Sequence, residues 1–598
     1  MMDRTVSLLD GGRRAAAVVA PGFEWGRARD DPYGAQQAPS HDGVLSWGQI
    51  ANRRAGDAIP GAQWGPATMS KRPALLEAMQ PTVFLGSAAV VIGFVALGVG
   101  WPDLLERAFE AIQSFIVHKF GWFYVLGTTG FLVFVLWLLF SRYGDIRLGG
   151  EEATPEFDYF SWFTMMFSAG MGTGLVFWGV AEPMTHFLHP PTGTGGEPGD
   201  VLQAMRLAFF HWGLHPWAVY IVFGLSLAYF HFRHGLPLAP RSLLYPVIGK
   251  GIYGPIGHGV DILATVGTLF GVATSLGLGA MQINTGVSQL TDIPHNQTVQ
   301  VAIVALITAV ATISVVSGIH RGIRRLSQAN LILAGLLFAF VFLAGPTVYL
   351  LEVFVSSLGA YLQKLVASSF WLDVRQNVDW QADWTLFYWS WWISWSPFVG
   401  VFVARISKGR TVREFITAVL FVPVLVTFLW LSVFGGTGLY IEIYGPGGLA
   451  GPIQENAALA LHTMLGALPL GAIASVFATL LVVVFFVTSS DSGSLVDDMV
   501  TSGGHPNPPR AQRVFWALAE GTVAATLLLA GGLQALRTAS LTSGLPMTVF
   551  LGVACYGLVA AFRADQAVKG IPSRQELKVG ADGQDPPRDP PRRRRDGE

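Results

Sequence analysis

The sequence predicts an all-α polytopic membrane protein of twelve transmembrane helices, and three observations carry that prediction. Charged residues make up 13% of the 598-residue chain, against roughly 25% in ordinary soluble domains. Hydrophobic residues make up 52%, with a mean hydropathy of +0.47, more apolar surface than a water-facing fold covers. The apolar residues fall in continuous runs rather than alternating, which selects helices over a barrel. The formal net charge of −1 gives no sign of a nucleic-acid partner. A single cysteine, Cys555, excludes a disulfide framework, a Cys-based zinc site and an iron–sulfur cluster.

Residues 1–80 lack an apolar run and read as a disordered cytoplasmic tail. Ala15–Ala20 is too short for a secretory signal, and Met69 is an alternative start ahead of the basic pair Lys71 and Arg72. From Thr82, twelve stretches are long enough to cross ~30 Å of hydrocarbon. They run 82–100, 122–141, 160–188, 206–232, 260–285, 299–318, 329–350, 384–405, 413–440, 468–492, 512–533 and 541–562. Lys and Arg then sort by side. One side holds Lys71, Arg72, Arg142, Arg147, Arg233, Arg241, Lys250, Arg321, Arg324, Arg325, Arg405, Lys408, Arg410, Arg413, Arg510 and Arg513; the other holds Arg107, Lys119, Arg206, Lys364, Arg375 and Arg537. Sixteen against six puts both termini in the cytoplasm of a plasma (inner) membrane. Between spans seven and eight, Leu351, Phe354, Val355, Leu358 and Leu362 recur at helical spacing, which predicts an amphipathic surface helix over about 351–375. Residues 563–598 are Pro-rich, end near the run Arg592–Arg595, and read as a solvated cytoplasmic tail with a weaker option of contact with anionic lipid.

Four segments carry candidate chemistry. The third span contains Ser168, Ala169, Gly170, Met171, Gly172, Thr173 and Gly174. Its glycines do not share one helix face, and each costs about 1 kcal/mol inside a helix. They predict an unwound segment at membrane depth, where free backbone groups must line a cavity; a glycine packing face is the plain alternative. The eighth span, from Trp384 to Phe398, holds Phe387, Tyr388, Trp391, Trp392 and Trp395, and Pro397 frees the carbonyl of Ile393. Such aromatic faces suit a quaternary ammonium, although aromatic core packing is the commoner use. The fourth span offers Trp212, Trp217 and Tyr220 around Pro216, which is expected to free the Trp212 carbonyl and bend the helix. His211 and His215 read as packing residues, with no carboxylate near them in sequence to complete a metal site. In the tenth span, Thr488 and Ser489 supply hard oxygens suited to sodium, against the alternative that they bond back to the preceding turn. On the fifth span Thr268, Val272 and Ser275 share a face. There is no HExxH, Walker A run or GxSxG elbow, so the chain reads as a non-enzyme without catalytic residues, and transport without an ATP site needs an ion gradient.

Taken together, these residues resemble the betaine/carnitine/choline transporter family. The runs Trp384–Arg413, Gly170–Pro183, His211–Trp217 and Thr488–Ser492 agree with it in order and spacing, over roughly Pro81 to Ala561. The resemblance implies a leucine-transporter-like fold: two inverted five-helix repeats, about 160–350 and 384–562, after two extra helices. It implies homotrimers packed partly through the helix near 351–375. It implies an aromatic box of Trp212, Trp217, Tyr220 and Trp392, a cytoplasmic path lined by Trp391, Trp395 and Phe387, and Ser275 near the pocket. Gly170, Gly172 and Gly174 would face the substrate. Sodium, the coupling ion, would take the carbonyls of Ser168, Met171 and Phe485 with the hydroxyls of Thr488 and Ser489. A second sodium would use Thr268 and Phe398, but the position one turn on is Val272, so that site has lost a ligand. No other cofactor is implied. The expected function is import of a zwitterionic compatible solute of the glycine betaine, carnitine or ectoine type by sodium symport and alternating access, serving osmoprotection. A proton-coupled choline carrier and a non-transporting membrane sensor are the rivals. Since no acidic residue lies between Ser161 and Val180, the pocket is expected to lack a counter-ion and to prefer a zwitterion over choline; Gly174→Asp is expected to admit choline.

Overall fold

A computed structural model of the chain describes residues 79–569 except 171, 318, 319, 374–377, 506 and 507. The expectations for residues 1–78, for Met171 and for the arginine run at 592–595 lie outside the described residues. Fifteen longer helices are labelled here in chain order: α1 Pro81–Gly100, α2 Pro102–Phe140, α3 Tyr159–Gly170, α4 Thr173–Leu188, α5 Val201–Trp212, α6 Leu214–His234, α7 Pro255–Leu290, α8 Gln297–Ser317, α9 His320–Ala344, α10 Thr347–Ser369, α11 Phe387–Arg405, α12 Val412–Tyr444, α13 Gly471–Thr501, α14 Arg510–Leu529 and α15 Leu533–Lys569. Short helical turns join them, and no strand occurs among the described residues. Among the described residues, eight helical segments are long and apolar enough to cross a membrane.

Local chemistry sets the boundaries. Pro81, Pro102 and Pro255 open α1, α2 and α7, where a missing backbone donor costs nothing. Thr411 and Glu414 form a reciprocal capping box at the start of α12. Gly235, at φ 67°, ends α6 in the left-handed conformation that favours glycine. Several helices outrun the apolar stretches that announce them. The second span is expected at 122–141, yet α2 has 39 residues, about 58 Å at 1.5 Å per residue. Its first turns carry Asp103, Glu106, Arg107 and Glu110, and charge ends a hydropathy run without ending a helix. The last span is likewise expected to stop at 562, but α15 continues to Lys569, and Asp565 accepts from Tyr229 Oη at 2.7 Å and Arg233 Nε at 2.6 Å.

Two expectations move further. The seventh span ends at Ala344 rather than 350, because Gly345 and Pro346 break it. The helix expected on the surface therefore starts earlier, as α10, and is itself among the segments long and apolar enough to cross a membrane. Leu350, Val353 and Tyr361 of α10 are buried, while Val348, Leu351, Val355, Leu362 and Val366 are exposed. The fourth span is not one bent helix. It breaks at Gly213 into α5 and α6, and Pro216 sits in the first turn of α6. A Cβ at Gly213 would lie 2.5 Å from the Phe209 carbonyl oxygen and 2.8 Å from Tyr361 Oη, so only glycine fits the break.

The core packs α11 against α6, α7 and α15, α13 against α7, and α4 against α12. At one end of this core a clasp joins the segment before α3 to the segment after α11. Leu148 N donates to Arg410 O at 2.8 Å, Gly409 N to Leu148 O at 2.7 Å, and Val412 N to Ile146 O at 2.9 Å. Arg410 lies over the rings of Tyr159 and Trp162, 4.1 and 4.5 Å from their centroids, and Trp162 Nε1 donates to Ser407 Oγ at 3.0 Å.

Candidate functional site

The third span is broken where its glycines predict. Helix α3 ends at Gly170, Gly172 is extended (φ −147°, ψ −167°), and α4 starts at Thr173. Thr173 Oγ1 donates to the carbonyl of Ser275 at 2.9 Å, which ties the break to α7. A Cβ at Gly172 would lie 3.7 Å from the Trp395 ring and 3.8 Å from Ser489 Oγ. The unwound backbone thus meets α11 on one side and α13 on the other. Gly174 admits no side chain without displacement: its Cβ would lie 2.5 Å from Trp391 Cη2. Gly174→Asp is therefore first a disruption of Trp391, which undoes its expected use as a clean gain of choline transport.

Helix α11 opens on one widened helical turn, Ala382–Leu386, a feature frequent at functional sites. It then presents its aromatics as a stack. Phe387 and Trp391 centroids are 5.4 Å apart, Trp391 and Trp392 are 4.7 Å apart, and Trp391 and Trp395 are 6.2 Å apart. The α5–α6 break brings the second cluster to this stack. Trp212 stands edge-on to Trp392 at 4.9 Å, Tyr220 lies 6.5 Å from Trp392, and Trp217 lies 5.5 Å from Tyr220. All four predicted box residues are buried and adjoin one another. The break also supplies an acceptor, since Trp392 Nε1 donates to the His211 carbonyl at 3.0 Å. Trp391 Nε1 donates to Gly271 O at 3.2 Å, fixing that ring against α7. The Ile393 carbonyl freed by Pro397 takes the Ser396 hydroxyl at 2.7 Å. Tyr220 Oη and Trp395 Nε1 are buried without a protein partner, so both are polar handles available to a ligand.

One residue of the site escapes the sequence reading. Glu182 of α4 is fully buried, and its carboxylate gathers four groups. Trp212 Nε1 and Tyr388 Oη donate to Oε2 at 2.7 and 2.5 Å, while His211 Nδ1 and His186 Nε2 lie 2.7 and 3.2 Å from Oε1. His211 Nε2 is in turn 3.0 Å from Thr385 Oγ1. Two expectations need correction. A carboxylate does stand beside His211, and an acidic residue does stand within hydrogen-bond reach of the box. A lone carboxylate inside an apolar span is itself a signal, but Glu182 lies two residues past the window searched. The ligating atoms of Glu182, His186 and His211 lie within 4.8 Å of one another, close enough to hold a metal ion. Both carboxylate oxygens are already engaged, while His186 Nδ1 is buried without a hydrogen-bond partner.

The predicted ion residues divide. Ser168 and Gly170 end α3, with only their backbone described. Thr488 Oγ1 lies 2.9 Å from Val484 O and 3.1 Å from Phe485 O, the back-bonded arrangement, and it accepts from Asn330 Nδ2 of α9 at 2.9 Å. The Phe485 carbonyl is thereby engaged as well. Ser489 Oγ faces the break. Ser275 is buried, its hydroxyl 3.4 Å from Gly271 O. Thr268 is buried and its hydroxyl has no protein partner, while Phe398 packs 5.4 Å from Trp395. Val272, one turn from Thr268, is buried without an oxygen to offer.

The model of the betaine/carnitine/choline family transporters matches residues 82–567. The chain belongs to that family. It is therefore a multi-pass membrane transporter. This family member is 48% identical over 500 residues to an uncharacterised transporter of Mycobacterium bovis, covering 82% of this chain and 84% of the relative. It is 43% identical over 500 residues to a glycine betaine transporter of Acinetobacter baylyi, covering 83% and 75%. It is also 43% identical over 494 residues to a glycine betaine/proline/choline transporter of Vibrio parahaemolyticus, covering 80% and 89%.

Proposed function

We propose that this transporter imports a zwitterionic quaternary-ammonium solute of the glycine betaine type by sodium symport and alternating access, across a plasma membrane with both termini cytoplasmic, in the service of osmoprotection. The observation that supports the reading is the buried aromatic cluster in which Trp212 and Tyr220 adjoin Trp392, and Trp217 adjoins Tyr220, on the helix whose Trp391 and Trp395 meet the broken third span. Aromatic faces attract a methylated cation by roughly 2 kcal/mol or more when desolvated. The unwound backbone at Gly172 offers amides to the solute's carboxylate, and relatives at 43% identity carry glycine betaine in their names. Glu182 gives the box a negative neighbour, but four donors already share that charge, which favours a zwitterion over a bare cation. Sodium is supported by the meeting of Ser489 with the break.

The helix order supports twelve crossings: α1, α2, α3 with α4, α5 with α6, α7, α8, α9, α11, α12, α13, α14 and α15, with α10 on the surface. The inverted repeat places the broken third span and the proline-interrupted α11 first in their halves. The exposed apolar residues of α10 suit packing between copies in a homotrimer, set among membrane lipids.

Uptake of labelled glycine betaine into proteoliposomes, with and without an inward sodium gradient, tests the reading. Accumulation that collapses without the gradient is expected. Equal accumulation of choline would overturn the preference for a zwitterion, and gradient-independent uptake would overturn sodium symport.

A further inference from the structure

The largest unbalanced charge among the described residues lies away from the aromatic box, where the last third of α13 meets α14. Asp491, Asp497 and Asp498 of α13 and Glu520 of α14 are all less than a tenth exposed. Both oxygens of Asp497, both of Asp498, and Oε1 of Glu520 are buried without a hydrogen-bond partner. Glu520 reaches α13 from the neighbouring helix: its Oε2 takes the Ser490 hydroxyl at 3.2 Å, and its Oε1 lies beside Gly493, one turn before Asp497. One cation approaches: Arg513 Nε is 3.4 Å from Asp498 Oδ2.

Of the packed neighbours, α4 brings Glu182 and His186, bound in their own network, α11 brings Arg405, and the short helix Ala460–Gly466 brings His462. Helices α1 and α8 contain no Asp, Glu, Lys, Arg or His. Helix α7 brings Asp261, already held by Arg241 Nε at 2.5 Å, and His258 at its first turn. On α15, Arg537 is engaged with Asp383 at 3.4 Å. Helix α9 opens with His320, Arg321, Arg324 and Arg325, whose side chains lie outside the described residues. Four buried carboxylates against one guanidinium cannot all be ionised, because each unpaired buried charge costs several kcal/mol and like charges raise the cost further.

The position of Glu520 ties this cluster to α7. A Cβ at Gly493 would lie 2.9 Å from Glu520 Oε1 and 3.0 and 3.2 Å from the two Val272 methyls. The missing side chain of Gly493 therefore lets the Glu520 carboxyl come up beside Val272, the buried residue one turn after Thr268. One turn before Val272, the buried Thr268 hydroxyl is also unpartnered. A metal ion or sodium needs its ligands gathered around one point. Among the described residues only Glu182, His186 and His211 bring three carboxylate or imidazole groups close enough to share a metal ion, whereas a proton needs one oxygen at a time.

We propose that Glu520 and Asp497 form a proton-binding site beside Val272, and that the proton held there is carried across with the solute. The proton comes from water and sits on a carboxylate oxygen as a neutral acid. Its coupling to transport rests on the transport reading above; its presence does not.

Infrared difference spectra of the purified full-length protein at neutral pH, in H2O and D2O, decide the first point without any solute. A carboxylic-acid C=O band that shifts in D2O is expected, weakened in Glu520→Gln and in Asp497→Asn. Glutamine mimics the neutral acid, so Glu520→Gln should keep the wild-type Tm at neutral pH. A missing band, or a band undiminished in both variants, overturns the site. Proteoliposomes holding a pH-sensitive dye under a fixed sodium gradient decide the second point. Solute uptake should acidify the lumen in wild type and not in Glu520→Gln. Uptake without acidification in wild type overturns the coupling and leaves the infrared result to judge the site.

Discussion

Trp392 contributes twice to the box: its ring closes one wall, and its N–H holds the His211 carbonyl 3.0 Å away. Trp392→Leu should weaken glycine betaine binding about thirtyfold, the equivalent of ~2 kcal/mol of lost cation–π attraction. A fluorescence titration beside a melting curve checks this. Normal affinity with a lowered Tm would instead mean that the ring only packs. Glu182 acts differently, since it touches the box through others. It is a positioning residue, holding the Trp212 indole and the Tyr388 hydroxyl on one oxygen. Glu182→Gln replaces one acceptor oxygen with a donor. Hydrogen bonds to a charged group are worth about 1.5–3 kcal/mol, so affinity should fall roughly ten- to a hundredfold with the fold retained, as titration and circular dichroism would show. Unaltered affinity would remove Glu182 from the site. The tryptophans were legible in the sequence because their spacing on single helices is local information. The carboxylate network was not, because Glu182, His186, His211 and Tyr388 meet only through the packing of α4, α5 and α11.

At the scale of elements, punctuation was more legible than extent. The glycine run announced the break between α3 and α4, and Gly345 with Pro346 announces the end of α9. Helix length was not legible, because α2 and α15 run on past the residues that end their apolar stretches. Gly213 shows the reason for another miss. Proline is the louder breaker in sequence, but Pro216 lies in the first turn of α6, where its absent N–H is harmless. The break belongs to the glycine that Phe209 and Tyr361 crowd. Helix α3 begins at a smaller device, the Asp158 carboxylate, which accepts from Ser161 N at 3.0 Å and Ser161 Oγ at 2.7 Å. These bonds hold the Asp158 carboxyl below the usual aspartate range. An acid so lowered stabilises the helix end above its ordinary pKa and loses that contribution as pH falls through the lowered value. Amide protection of Ser161 should therefore drop on acidification in wild type. In Asp158→Ala it should be low and flat with pH. Equal protection in the two proteins at neutral pH would show that the cap adds nothing.

For the whole molecule, the central question is which ion drives uptake. In Thr488→Ala with Ser489→Ala, the sodium proposed at the break would lose the Ser489 hydroxyl that faces it and the Thr488 hydroxyl that Asn330 holds one residue away. The half-saturating sodium concentration should rise tenfold or more, by the order of a lost charge-assisted contact, roughly 1.5–3 kcal/mol. An unchanged value in uptake assays would clear these hydroxyls of any such duty. Asn330, which donates to Thr488 from α9, was invisible to a reading of one helix at a time. The clasp between residues 146–148 and 409–412 bears on how the molecule can move at all. Its backbone bonds, with Arg410 laid over Tyr159 and Trp162, yoke the foot of α3 to the foot of α11. In any working stroke these two feet travel as one part, so the play must be found elsewhere along the same rods. The extended joint at Gly172 is where α3 can swivel under α4. On the proposed alternating-access reading that joint is a bearing as well as a seat for the solute, and stiffening it would seize the mechanism even with every proposed ligand-binding atom in place.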